Sequence, residues 1–221
     1  MGVWAVVPVK ELDRAKERLA PVLPPERRRA LMLAMLEDVL TALAATTGLS
    51  GLAVVTVDTA ARRLAARYGA RIIETGARDG HSGAVAGAAR LLAVEGCSGM
   101  LTLPGDIPLV TPAEITQLLA AHRPAPAFTI APSRDEQGSN AIICSPPDAV
   151  PLRFGEDSFF PHLRAAEAWG IRPTVLRLPG IALDVDTPED LAALTLVPPA
   201  TRAHALLDLQ RAAAVIGEPW E

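Results

Sequence analysis

The 221 residues carry a formal net charge of −4 and only 4% aromatic side chains, which excludes a general nucleic-acid binder with its basic stripe and stacking platforms. Half of the residues are hydrophobic, enough for one domain with a substantial core, yet no apolar run approaches the ~20 residues that span a bilayer. There is no basic leader before Pro8-Val9-Lys10 and no small-residue cleavage site, and the two cysteines, Cys97 and Cys144, lack disulfide or zinc spacing, so a reducing cytoplasm is the expected setting.

Val3–Val7 reads as a buried strand. Pro25 to about Ala45 reads as a helix, because Leu31, Met35, Leu36, Val39, Leu40 and Leu43 recur at three- and four-residue steps. The same spacing puts the one dense basic cluster, Arg27-Arg28-Arg29, on the solvated side of that helix. Leu52–Val57 is the next strand, and Thr59–Tyr68 a helix closed by Gly69. Arg71–Glu74 is a short strand, Ser82–Val94 an Ala/Gly-rich helix suited to close packing on a sheet, Met100–Leu103 a strand and Pro112–His122 a helix. Phe128–Ala131 and Ala141–Cys144 are strands around an irregular loop. Ser158–Trp169 is helical, Thr174–Leu178 and Ala182–Val185 are extended, and Pro188–Leu194 is a last short helix.

This alternation means βαβ units and an α/β fold with a mostly parallel, mixed sheet flanked by helices. Ligands of such sheets sit beyond the carboxyl ends of the strands. Residues 1–196 read as one domain and 197–221 as a C-terminal helical extension (Thr201–Val215), placed for oligomer contacts such as a homodimer, or as a lid on the core.

Two strand ends carry carboxylates. Leu101-Thr102-Leu103 runs into a tight Pro104-Gly105 turn that presents Asp106, and Thr111-Pro112-Ala113-Glu114 restarts the chain as a capped helix. Asp106 reads equally as a ligand for a hard divalent cation or as a turn aspartate bonded to its own backbone. Asp184 and Asp186 stand two apart on an extended segment and so project to one face. One of them, Asp184 sooner than Asp186, can instead cap the helix that Thr187-Pro188-Glu189-Asp190 opens. Two such sites far apart in sequence suit Mg²⁺ spanning a triphosphate, since Mg²⁺ takes one or two protein carboxylates and completes its shell with phosphate oxygens and water.

Pro8-Val9-Lys10 followed by Ala15-Lys16-Glu17-Arg18-Leu19 resembles the opening of the 2-phospho-L-lactate guanylyltransferase family. The likeness continues through Gly105-Asp106-Ile107-Pro108-Leu109, Ala131-Pro132-Ser133, Gly138-Ser139-Asn140-Ala141, Phe154-Gly155-Glu156-Asp157-Ser158-Phe159 with His162, and Leu183-Asp184-Val185-Asp186-Thr187-Pro188. It spans roughly residues 3 to 194.

The resemblance implies the nucleotide-diphospho-sugar transferase fold (GT-A-like, Rossmann-related). It also implies transfer of GMP from GTP to a small phosphorylated acid, with release of pyrophosphate, in biosynthesis of the deazaflavin coenzyme F-420. Phosphoenolpyruvate, 2-phospho-L-lactate and 3-phospho-D-glycerate are the acids used within the family. By the same resemblance Lys10, Lys16 and Arg18 meet the NTP phosphates, Pro8, Ser82 and Gly105 border the nucleotide, Asp106 and Asp186 hold Mg²⁺ with Asp184 beside them, and Ser139, Gly155 and Ser158 bind the acid. Ser158 also opens a helix, where its hydroxyl and free N–H groups form an anion pocket. His81 and His162 read as packing or surface histidines.

Three positions depart from the family pattern. Glu17 stands where Ser or Thr is usual, Gly138-Ser139-Asn140 replaces Gly-Thr-Asn, and Asp79-Gly80-His81-Ser82-Gly83-Ala84 replaces a segment typically written Gly-Leu-Asn-Ala-Ala. The missing Asn, which helps at the nucleotide, bears on guanine selectivity. Alternative readings are a molybdenum-cofactor-type nucleotidyltransferase, which opens on a Gly-rich loop where this chain has Pro8-Val9-Lys10, a sugar-1-phosphate nucleotidyltransferase, and a non-catalytic nucleotide-binding module.

Overall fold

Parallel pairing sets β1 (Val3–Pro8) between β2 (Leu49–Val55) and β4 (Gly99–Thr102), with β3 (Arg71–Ile73) beyond β2. On the other side β6 (Ser139–Ser145) runs antiparallel to β4 and to β5 (Ala127–Pro132), and the short β7 (Thr174–Val175) lies parallel to β5. The order is β3-β2-β1-β4-β6-β5-β7 in a computed structural model that describes residues 2–208 apart from Glu156 and Pro199. Because β6 alone opposes the other described strands, the carboxyl ends of β1, β4 and β5 share one sheet edge with the amino end of β6. The motif residues lie along that edge.

Side chains of a strand alternate between faces, and the two cores divide accordingly. Ala5 and Val7 of β1 join a core with helices α1 (Pro25–Ala44), α2 (Thr59–Arg67), α4 (Pro112–Ala121) and α7 (Pro188–Leu196), whereas Val6 faces the core of α3 (Gly80–Val94) and α5 (Phe159–Ala168). The apolar stripe expected on α1 is fully inside: Leu31, Met35, Leu36, Val39 and Leu40 have no exposed surface. Helix α4 starts with a capping box in which Thr111 Oγ1 accepts from Glu114 N–H and the Glu114 carboxylate accepts from Thr111 N–H.

Several expectations need correction. Arg28 does not lie on the solvated side of α1; it is 8% exposed and folds under the segment that follows β1. Helix α2, by contrast, starts at Thr59 as expected, and its cap is Asp58, whose Oδ1 accepts from Ala60 and Ala61 N–H. Helix α3 begins at Gly80, whose φ of 73° suits glycine. The helix does pack on the sheet as expected, through Ala84, Val85, Ala88 and Leu92, and Gly87 in addition lets the chain after β3 come close: a Cβ there would lie within 2.6 Å of the Thr75 carbonyl.

Of the extended run expected at 182–185, Leu183 is extended but Ala182 is not. Ala182 ends a one-turn helix, α6 (Pro179–Ala182), because Gly180 N–H donates to Glu114 Oε1 at 2.6 Å and draws the chain onto the cap of α4. Thr174–Leu178 is likewise extended in a ladder only at β7. Of the expected C-terminal extension, 202–208 is helical and begins on Asp38 of α1, which accepts from the N–H groups of Arg202 and Ala203. Residues 209–221 lie outside the described residues. No helix among the described residues is long and apolar enough to cross a membrane.

Candidate active site

After β1 the chain makes two 3-10 turns, Leu12–Arg14 and Glu17–Leu19, joined through Lys16, which adopts the left-handed conformation with φ 53°. A non-glycine residue there costs on the order of 1 kcal/mol or more, so the neighbours must hold it. Leu12 N–H donates to Asp58 Oδ2 at 3.1 Å, the Arg28 guanidinium to Ala15 C=O at 3.2 Å, and Arg29 to Asp13 at 2.6 Å, while Leu12 and Leu19 are buried. The turn drives the Lys16 side chain inward until only 5% of it is exposed. Its ammonium bonds the Asp106 carboxylate and lies 3.5 Å from Asp186 Oδ1. Arg18, 61% exposed, donates to Asp186 Oδ2 at 3.1 Å.

The three carboxylates expected from the strand ends do meet. Val185 N–H donates to the Asp106 carbonyl at 3.0 Å and ties the two segments together. Asp184 accepts from Asn140 Nδ2 at 3.0 Å, which fixes it beside the start of β6. Helix α7 is capped by Thr187 and Asp190, so neither Asp184 nor Asp186 is spent as its side-chain cap, contrary to the second reading of that pair.

Burial lifts the Asp184 carboxyl above the usual carboxylate range; the Asn140 hydrogen bond opposes this and the charge on Asp106 adds to it. For Lys16 burial works to lower the pKa, yet the carboxylates of Asp106, Asp186 and Asp184 outweigh it and hold the ammonium charged. Asp106 Oδ1 is buried with no hydrogen-bond partner among the described residues.

This centre has an oxygen-only donor set, an orphaned carboxylate oxygen and a lysine cation lodged between acids. A hard divalent cation fits such a set. Among the described residues, however, no three His, Cys, Asp or Glu side chains are grouped so as to hold a metal ion by themselves. A Mg²⁺ here would need phosphate oxygens to complete its shell.

Two adjoining cavities of about 930 and 910 Å³ open on the sheet edge. Lys10, Arg18, Gly80, His81 and Asp186 border both. The second cavity is also lined by Pro8, Lys16, Gly105 and Asp106, which brings most of the expected nucleotide and phosphate residues to one place. Gly105 packs on α1, where a Cβ would lie 3.1 Å from Met32 Cε.

The first cavity is lined by Gly155, Ser82 and Asp184, and by the hairpin loop from Ser133 to Gly138. A Cβ on Gly155 would meet nothing within 4 Å, so the backbone there stands open to a ligand. Ser139 and Ser158 are 8% and 4% exposed and lie behind the wall, hydrogen-bonded to each other at 3.2 Å. The Ser158 hydroxyl makes no cap hydrogen bond on α5, and Phe159 N–H, one of the donors expected for an anion at that helix start, is taken by the Gln137 carbonyl.

His162, expected as packing or surface, is 1% exposed and hydrogen-bonded on both ring nitrogens. Burial pushes its pKa down to about 4, with the charge of His81 a smaller contribution. Burial likewise takes His81 to about 4. Sequence reasoning missed Arg28, Asp58 and the bonded role of His162. An aspartate directly before a helix is a readable cap signal, but nothing local distinguishes Arg28 from its two neighbours.

Residues 3–211 match the model of a family described as "Guanylyl transferase CofC like". A phosphoenolpyruvate guanylyltransferase of Rubrobacter xylanophilus is 42% identical over 197 residues, 88% of this chain and 94% of that protein. A 3-phospho-D-glycerate guanylyltransferase of Colwellia psychrerythraea is 36% identical, covering 87% of this chain and 90% of its own. Among solved structures, a protein from Desulfovibrio desulfuricans G20 described as a nucleotide-diphospho-sugar transferase superposes with a TM-score of 0.74 over 96% of this chain and 95% of that one, at 18% identity. That likeness speaks for the fold, which is the one the sequence motifs imply.

Proposed function

The chain belongs to the CofC-like guanylyl transferase family, and from that premise we propose that it transfers GMP from GTP to phosphoenolpyruvate, releasing pyrophosphate, as a step toward the deazaflavin coenzyme F-420. The observation that carries the reading is the centre at the sheet edge, where Lys16 and Arg18 meet Asp106 and Asp186 inside a cleft of two halves. Phosphoenolpyruvate is named as the acid because relatives at 42% and 39% identity carry that name. The relative named for 3-phospho-D-glycerate supplies the competing acid.

In this reading the triphosphate lies along Lys10, Lys16 and Arg18, whose charges oppose that of the pyrophosphate as it leaves. Asp106 and Asp186, with Asp184 behind them, would hold Mg²⁺, which when bound supplies neutralising charge at the phosphates. An oxygen of the acid's phosphate attacks the α-phosphorus of GTP. The bond from that phosphorus to the α,β-bridging oxygen breaks, and pyrophosphate departs with the electron pair. The attacking phosphate is already ionised at neutral pH, so no general base is required, and the protein contributes positioning and fixed charge. Cytoplasmic location belongs to the same proposal.

The test is pyrophosphate release from each of the four NTPs with phosphoenolpyruvate, 2-phospho-L-lactate and 3-phospho-D-glycerate in turn. Release with GTP and phosphoenolpyruvate supports the reading. Release with another acid reassigns the acceptor, and none with any pair removes the reading.

A further inference from the structure

The segment from Pro151 to Gly155 lies in neither helix nor strand, yet it brings Phe154 and Gly155 to the wall of the first cavity. Backbone in such a loop has no ladder to hold it, so side chains must serve. Two do, on consecutive peptide groups. Arg153 N–H donates to His162 Nε2 at 3.0 Å. Phe154 N–H donates to Ser82 Oγ at 2.8 Å, and the Ser82 hydroxyl lies 3.3 Å from the Phe154 carbonyl, to which it donates. The Phe154 ring sits between His81 and His162, with centroids 4.3 and 5.1 Å away.

These bonds fix the proton positions. Since Nε2 of the neutral His162 accepts, its proton is on Nδ1, which donates to Ser139 Oγ at 2.9 Å. Ser158 donates to the same oxygen at 3.2 Å. A hydroxyl has two acceptor sites and one donor, so Ser139 keeps its own O–H as the remaining donor. Helix α3 thus grips the loop from the cavity-bordering side through Ser82, and α5 grips it from behind through His162, which also orients Ser139.

We propose that Ser82 is a positioning residue for the phosphorylated acid and not a reader of the nucleotide base: together with His162 it pre-sets the 151–155 loop, so that the open backbone at Gly155 is presented in place. The proposal rests on the reading of this cleft as a guanylyltransferase site. One small hydroxyl here accepts from the N–H and donates to the carbonyl of the same residue, Phe154, and so ties two successive peptide groups. Without that hydroxyl, both polar groups of Phe154 lose their partner and the loop must be ordered by the acid itself, which raises the apparent cost of binding the acid.

The test compares Ser82→Ala, Ser82→Thr and His162→Gln with the unaltered protein. It reads KM for the acid, KM for GTP, preference for GTP over ATP, and the exchange rates of the Arg153 and Phe154 amides. Ser82→Ala is expected to raise the acid KM about tenfold and to speed Phe154 exchange, with KM for GTP and base preference unchanged. Ser82→Thr, which keeps the hydroxyl, restores the acid KM. His162→Gln moves the acid KM in the same direction and speeds Arg153 exchange, so the proposal remains testable if one variant does not fold.

A raised GTP KM or lost base preference with an unchanged acid KM would overturn it, as would unchanged Phe154 exchange in Ser82→Ala. Absence of turnover by the unaltered protein with every acid removes the functional reading instead, while the amide exchange still reports whether Ser82 and His162 hold the loop.

Discussion

Replacing Lys16 by methionine keeps an unbranched side chain one atom shorter and removes its charge, leaving the carboxylates of the centre without the ammonium that lies among them. Lys16 bonds Asp106 and lies 3.5 Å from Asp186, with its own side chain 5% exposed and those of the two acids 23% and 38% exposed. Breaking a buried ion pair from one side costs about 3–5 kcal/mol. Partial exposure of the acids lets water screen part of the repulsion, so about 2–3 kcal/mol is expected at neutral pH.

For a domain of this size that corresponds to a fall in Tm of roughly 5–10 °C. The deficit must also depend on pH with a definite sign. Asp184, already lifted by burial and by the charge of Asp106, has lost its nearby cation in the variant. Its native state therefore takes up protons more readily than that of the parent, and the two stability curves approach each other as pH falls toward 4. Urea melts of both proteins at pH 7.5 and at pH 5 make the measurement. A deficit below about 0.5 kcal/mol at pH 7.5, or one that grows on acidification, would refute the electrostatic reasoning.

Asp58→Ala removes the cap of α2 and the acceptor of the buried Leu12 N–H, for an expected loss of roughly 2–4 kcal/mol by chemical denaturation; a loss confined to a few tenths would mean that water replaces the carboxylate. Arg28→Met frees the Ala15 carbonyl beside the left-handed Lys16 and is expected to lower kcat by about tenfold to a hundredfold with a small change in Tm, so an unaltered kcat would show that the turn holds itself. The native pKa of His162 is about 4 against an ordinary 6.5; the unfolded chain then binds the extra proton first, and stability is lost as pH falls from 6.5 toward 4 and levels off below. The effect is about 3 kcal/mol, and His162→Gln is expected to remove about half of the loss in that window, because His81, also taken by burial to about 4, contributes a similar amount.

The strands and the acidic centre were legible because each has a local cause. Val3 to Val7 is an apolar run with no helical period, and Asp106 and Asp186 follow strand or extended segments that end in capped helices with proline in the first turn. What could not be read depends on which distant segment arrives. Arg28 is one of three adjacent arginines, and its burial follows from the Ala15 carbonyl packing over the start of α1. The extended run expected from Ala182 starts only at Leu183, because Gly180 finds Glu114, sixty-six residues away in sequence, and closes a helical turn first. Ser139 and Ser158 are motif positions with hydroxyls in contact, but that contact passes through the fold and has no signature in spacing. His162 looks like any helix histidine until the 151–155 loop and β6 close on its two nitrogens.

In the proposed reaction the phosphate of the acid becomes joined to the α-phosphorus of GTP at the Asp106–Asp186 centre. That step is tested most directly by ³¹P NMR of a mixture of the protein, GTP, phosphoenolpyruvate and Mg²⁺, alongside Asp106→Asn. The expected result is a new pair of mutually coupled diphosphate doublets together with pyrophosphate, and neither with the variant. Formation of GDP with orthophosphate, or the same doublets from Asp106→Asn at an undiminished rate, would contradict it.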